Sequence, residues 1–202
     1  LTMDYPSNRK FINAYAMHLI GGGATDEAYD YLMRHIDDET TTPDDYIMLL
    51  QYMLFLEKSD TEVKAMIDRA TARFADDSQL LSFKGFYYTE REEYSKALKI
   101  FKRGLSKAQK SKDNELRSQW LGYIGDLYHL MGKQMKCFMA YADALHYNEN
   151  NVPVLNNYAY YLSLTGRGLD KALTMAERAT SLEKSNATYL DTYAWILHLI
   201  GR

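Results

Sequence analysis

The sequence predicts an all-α solenoid of stacked helical hairpins, and three observations predict it. A small-residue slot recurs at Ala16, Gln51, Gly85, Gly125, Ala159 and Ala194, at intervals of 35, 34, 40, 34 and 35 residues, with Gln51 as the one misfit. Apolar residues bracket that slot at helical spacing: Ile12, Ile47, Leu81, Leu121, Leu155 and Leu190 stand four before it, and Leu19, Leu54, Tyr88, Tyr128, Leu162 and Leu197 three after. A second register follows at Ala28, Val63, Ala97, Cys137 and Ala172, each succeeded four residues on by Leu32, Ile67, Phe101, Tyr141 and Ala176. A fixed period in the thirties denotes one supersecondary unit in several copies, each burying its apolar face against the next. The slot and its brackets make the first helix of a unit and the later register makes the second. Small residues let the two backbones approach while large ones a turn away fill the space beside them.

Taken in order, the pattern predicts helices over 9–20, 25–36, 44–58, 60–74, 78–90, 93–109, 114–131, 134–147, 152–164, 169–182 and 187–200. They form a single domain, 1–202, with repeats over 9–43, 44–77, 78–117, 118–151 and 152–186 and a partial one over 187–202. Gly21-Gly22-Gly23 closes the first helix, in a turn where positive φ is cheap for glycine. Thr42, Pro43, Asp44 and Asp45 open the third with a cap, a proline at its start and acids matched to the helix dipole. The third unit carries about six extra residues near Ala108 to Asn114, which should lengthen its helices. Gly132 and Gly166-Arg167-Gly168 punctuate the next two hairpins. The last helix has no second half, so its apolar face at Leu190, Tyr193 and Leu197 lacks a companion. The expectation is that the natural chain continues past Arg202, or that a neighbouring molecule covers this end. Leu1 is likewise no natural start, and a leader or further repeats are expected before it.

Composition agrees with a helical globular chain: 47% apolar residues supply a core, and 25% charge with a net of −3 keeps the surface polar. No apolar run approaches the roughly 18 residues a spanning helix needs. The lone Cys137 excludes an internal disulfide, and its place in a small-residue register reads as a buried packing thiol. Enzyme signatures fail one by one. Gly21-Gly22-Gly23 lacks the Gly-Lys-Ser/Thr ending of a phosphate loop, and the five histidines show no metal-binding spacing, so no cofactor and no metal are expected. Asp126 and His129, three apart on one helix, read as a hydrogen-bonded surface pair rather than an acid/base couple. Asn186-Ala187-Thr188 fits a glycosylation acceptor, but an asparagine at a helix start needs no other role. Lys96, Lys99, Lys102, Arg103, Lys107, Lys110 and Lys112 lie along one helix in an acidic protein and read as a solvated face, so nucleic acid is not expected as a partner.

The run Leu81, Gly85, Tyr88, Ala97, Phe101 and Gly104 resembles the tetratricopeptide repeat family, and Leu121, Gly125, Tyr128, Cys137, Tyr141 and Ala144 match it nearly as well. The resemblance covers almost the whole chain. It implies a right-handed solenoid of about five and a half hairpins that binds proteins without catalysis. The family's proline at the end of the second helix is missing, since Pro6, Pro43 and Pro153 are the only prolines. The ending from Val154 to Ala159 and from Thr188 to Trp195 is similar to bacterial members, many of them associated with the cell envelope.

If the slot faces the companion helix, residues three before, one after and four after it share a stripe turned away from that contact. In the resembled family this stripe lines the concave groove. Here it carries Met17, Met48, Tyr52, Phe55, Phe86, Asp126, His129, Asn156, Tyr160, Asp191 and Trp195, with Asn157 beside it. The flanking stripe already supplies a core, so the rings read as anchors for a bound polypeptide and the asparagines as partners for its backbone. The acidic character favours a ligand bearing Arg or Lys. Family members that clamp a C-terminal carboxylate use Lys, Arg and Asn, whereas the matching positions hold Met48, Tyr52, Ser82, Phe83 and Phe86, so that role is not expected. The rival expectation is a self-assembly module that docks through the uncovered last helix.

Overall fold

The computed structural model describes residues 9–202. Among the described residues there are eleven α-helices and no strand: α1 (Arg9–Gly21), α2 (Thr25–His35), α3 (Pro43–Phe55), α4 (Asp60–Arg73), α5 (Ser78–Glu90), α6 (Tyr94–Ser111), α7 (Asn114–Leu130), α8 (Gln134–Tyr147), α9 (Val152–Ser163), α10 (Leu169–Leu182) and α11 (Ala187–Leu199). The backbone divides into two compact units, one running to Lys84 and the other from Gly85 to Arg202, with α5 passing through the division. No described helix is long and apolar enough to cross a membrane.

From α3 onward, the odd-numbered helices begin on polar caps. Asp77 Oδ1 accepts from the Leu80 N–H at 2.9 Å, Asp113 Oδ1 from Leu116 at 2.9 Å, Asn151 Oδ1 from Val154 at 3.3 Å and Asn186 Oδ1 from Thr188 at 3.1 Å. Each satisfies an N–H that has no carbonyl inside its helix. At α3 the bond runs the other way as well, with the Thr42 N–H donating to Asp45 Oδ2 at 2.7 Å in a capping box. The extra residues of the third unit do lengthen helices: α6 has 18 residues and α7 has 17, against 11 to 14 elsewhere.

The structure corrects the register of the second repeat. Tyr46, Leu50 and Met53 are buried, whereas Gln51 is exposed and Leu54 is 48% exposed, so Leu50 and not Gln51 occupies the slot. The turns give the same answer. Gly23, Glu57, Glu92, Gly132, Gly166 and Gly201 all adopt positive φ, between 51° and 81°, and each lies seven residues after a slot once Leu50 is that slot. In five of these turns the next N–H reaches back to the helix: Ala24 to Leu19 O, Lys58 to Met53 O and Glu93 to Tyr88 O at 2.9 Å, Lys133 to Tyr128 O at 2.8 Å and Arg202 to Leu197 O at 3.0 Å. This is the Schellman closure, which satisfies carbonyls at the helix end. The misreading arose because Val63 follows Leu50 by thirteen residues, as Ala172 follows Ala159, and not by twelve. The same closure ends α3 at Phe55, three residues before the predicted 58.

Slot size is matched to the residue it receives. A Cβ on Gly85 would lie 2.0 Å from a Phe101 ring carbon, and one on Gly125 would lie 2.5 Å from the Tyr141 ring. Glycine is therefore required where an aromatic side chain of the second helix lies against the first. Ala16, opposite Leu32, and Ala159, opposite Ala176, have smaller counterparts and are fully buried with them. Cys137 is buried, as its register predicts, and burial pushes its thiol up to about 11, which keeps it protonated at neutral pH.

Candidate functional site

The inner stripe of the second unit begins at Phe86. Its ring meets Tyr123 edge-on with centroids 4.8 Å apart and Phe101 at 5.5 Å, and 41% of the residue stays exposed. It thus has internal neighbours, contrary to the expectation that the stripe's rings bury nothing.

Asp126 and His129 do not form the expected surface pair. Asp126 Oδ1 accepts from the Tyr141 hydroxyl at 2.5 Å and from Asn157 Nδ2 at 3.0 Å, while the His129 ring stacks on Tyr161 at 3.6 Å and 12°. Burial raises the Asp126 carboxyl above the ordinary range, and the bonds from Tyr141 and Asn157 counter it. Burial, and then the Asp126 charge, raise the Tyr141 hydroxyl, which keeps its proton and remains the donor. The Asp126 relay therefore ties α7 to α8 and α9 and offers no activated nucleophile.

Asn157 relays that order onward, since its Oδ1 accepts from Asn156 Nδ2 at 3.3 Å. Asn156 is 5% exposed and its Oδ1 has no donor. An amide oxygen left in this condition costs free energy until something donates to it. Asn156 and Asn157 line an open cleft of about 570 Å³ with Tyr160, Leu164, Thr188, Asp191, Thr192 and Trp195. Tyr160 and Trp195 are 39% and 40% exposed, and Trp195 Nε1 donates to Ser163 Oγ at 3.2 Å, which fixes the indole. Four residues of the predicted stripe, with Asn157 beside it, thus meet in one cleft. Thr188 was missed, although the stripe continued three residues upstream of Asp191 reaches it; Leu164 and Thr192 lie off the stripe and carried no such signal.

In the first unit Met17 is 56% exposed and Phe55 73%, and the Tyr52 hydroxyl comes 3.5 Å from Met17 Sδ. With Leu50 in the slot, the stripe of this repeat passes through Ile47, Gln51 and Leu54. Met48, Tyr52 and Phe55 stand one residue aside, a rotation of about 100° on an α-helix. Asn13, three before the first slot, donates to Asp45 Oδ1 at 2.9 Å, and Asp45 also pairs with Arg9 Nε at 3.2 Å. No group of three or more potential metal ligands occurs among the described residues.

No protein-family model and no curated protein sequence matches the chain. Solved structures do. It aligns over 95% of its length with PilF of Pseudomonas aeruginosa at 18% identity and a TM-score of 0.70, spanning 84% of that chain. A tetratricopeptide repeat protein of Thermus thermophilus aligns over 95% of this chain and 100% of its own, at 18% identity and a TM-score of 0.65. The hetero-tetramer Cut9-Hcn1 supplies a third, over 97% of this chain at 16% identity and a TM-score of 0.69, where this chain spans only 38% of the other. Identities this low establish likeness of fold, and together with the repeated slot and turn they make this chain a solenoid of the tetratricopeptide-repeat fold.

Proposed function

We propose that the chain is a non-catalytic scaffold that holds a segment of a partner polypeptide on the inner stripe of its helices, centred on the cleft of the second unit. The observation that carries this reading is the buried, donor-less Asn156 amide oxygen of a residue that shares its cleft with two half-exposed aromatic residues. A polypeptide backbone brings N–H donors, and its side chains cover rings that water now touches. The cleft's size falls in the range of about 300–1,000 Å³ typical of ligand sites. Support also comes from the Cut9-Hcn1 structure, in which two kinds of protein are assembled. The test is capture from an array of degenerate peptides by wild type and by Tyr160→Ala/Trp195→Ala, with circular dichroism melting to verify folding. The double variant is expected to lose about tenfold or more in capture, because buried aromatic anchors dominate such interfaces. Unchanged capture removes the reading.

A second reading is favoured by α11. Its slot residue Ala194 is exposed, Leu190 is 44% exposed and Leu199 38%, leaving an apolar face without a companion helix among the described residues. In this reading a second copy of the chain covers α11. Sedimentation at several concentrations then shows dimers that Leu190→Asp or Leu197→Asp disperses. A monomer at every concentration rules it out.

A further inference from the structure

We propose that the cleft between α9 and α11 selects an arginine side chain of the bound segment, an inference that rests on the groove reading above. The hydrogen bonds of the cleft wall have a fixed direction. The Asp126 carboxylate accepts, so Asn157 must present Nδ2 to it and keep Oδ1 free to accept. Asn156 must then give Nδ2 to Asn157, which turns its own Oδ1 away from any donor. Trp195 Nε1 is likewise spent inside the wall, on Ser163 Oγ. Trp195 Nε1 and one N–H of each asparagine amide are thus spent inside the protein. The groups ready to accept are an amide oxygen, the exposed Asp191 carboxylate and hydroxyls, and the lining contains neither Lys nor Arg. The one charged group of the lining is an acceptor, so a cleft built this way favours a cationic donor.

Among such groups the guanidinium fits the other two features of the cleft. It is planar, so it lies against the faces of Tyr160 and Trp195, where the ring quadrupole attracts a cation. Its fork of N–H donors serves an amide oxygen and a carboxylate at once, which a lysine ammonium does only as a point charge. A backbone N–H alone satisfies Asn156 but leaves Asp191 and the rings without a use.

The test compares sets of degenerate 12-residue peptides, capped at both ends, with arginine, lysine, citrulline or glutamate fixed at one central position. Citrulline keeps the shape of arginine and removes the charge. Wild type is expected to capture the arginine set about tenfold above the citrulline set, with lysine between them. Asp191→Asn, at an exposed helix position, should shrink the arginine preference while the melting curve stays that of wild type. Equal capture of arginine and citrulline sets, both lost in Tyr160→Ala/Trp195→Ala, overturns the arginine inference and leaves the groove reading standing. Preference for the glutamate set overturns it as well. Failure of wild type to capture any set overturns both.

Discussion

The two units solve the same packing problem in different ways. In the second, glycine occupies the slots at 85 and 125, and aromatic rings of the companion helices fill the space a side chain would take. Phe101, Trp120, Tyr123 and Phe86 form one chain of ring contacts with centroids 4.8 to 6.1 Å apart. In the first unit, Ala16 and Leu50 occupy the slots opposite Leu32 and Ile67, and the aromatic residue moves to the start of the helix, at Tyr46, against Phe74 at 5.9 Å. The first unit adds a polar knot, half-buried Arg9 and Asn13 on buried Asp45, that links α1 to α3. The backbone closure seven residues past the slot is common to both. The turn therefore defines the repeat, and the volumes on the two facing helices are exchangeable so long as they remain complementary.

The largest expected effects come from taking the filling side chain away. Phe101→Ala should cost about 3–5 kcal/mol, because the rigid ring neighbours cannot collapse into the cavity. Leu50→Ala should cost about 2–5 kcal/mol by the same mechanism in the first unit. Its neighbour Gln51→Ala should stay within about 0.5 kcal/mol, as exposed positions do. Urea unfolding of these three variants checks the corrected register, and a Gln51→Ala loss as large as that of Leu50→Ala would refute it. A smaller loss of about 1–3 kcal/mol is expected from Gly125→Ala, where the new methyl enters the Tyr141 ring's space. Ala159→Gly, in a slot without a ring opposite, should instead show only the loss of helix propensity and of one buried methyl.

The repeats were legible because periodicity survives without knowledge of tertiary contacts: slot, brackets and capping residues recur at fixed offsets, and all eleven helices lie where that pattern puts them. The phase of the second repeat was not legible. Ile47 and Leu54 compete with Tyr46, Leu50 and Met53 one residue away, and the polar Gln51 was too weak a sign to choose between the two phases before burial and the turn did. The turn residue that settles the matter, Glu57, is not a glycine and gives no sign of positive φ in the sequence. Within the cleft, Asn156, Tyr160, Asp191 and Trp195 were readable from helical spacing alone. The direction of the Asp126 relay was not, since it depends on Tyr141, which reaches Asp126 from a different helix.

The finest contrast between the units is in how they treat a carboxylate. In the second, burial raises Asp126, so folding disfavours its charge. Its contribution to stability is present below the ordinary carboxylate pKa and is lost as pH rises through the raised folded value. In the first, burial also pushes Asp68 up, but hydrogen bonds from Lys64 and Lys84, at 2.6 and 2.8 Å, outweigh it and hold the carboxyl below its ordinary range. Its contribution is present above the ordinary pKa and is lost as pH falls through the lowered value. Asp126→Asn, whose amide oxygen can still accept from Tyr141 and Asn157, should therefore look most favourable relative to wild type near pH 7 and lose that advantage as pH falls toward 4. Asp68→Asn should run the other way, its deficit shrinking as pH drops below about 4, and by less, because an ion pair at this exposure is worth at most about 1 kcal/mol. Urea midpoints of the two variants against wild type between pH 3.5 and 7.5 check both signs in one series. Parallel curves for the two variants would mean that the relay around Asp126 is as open to water as the surface pair on α4.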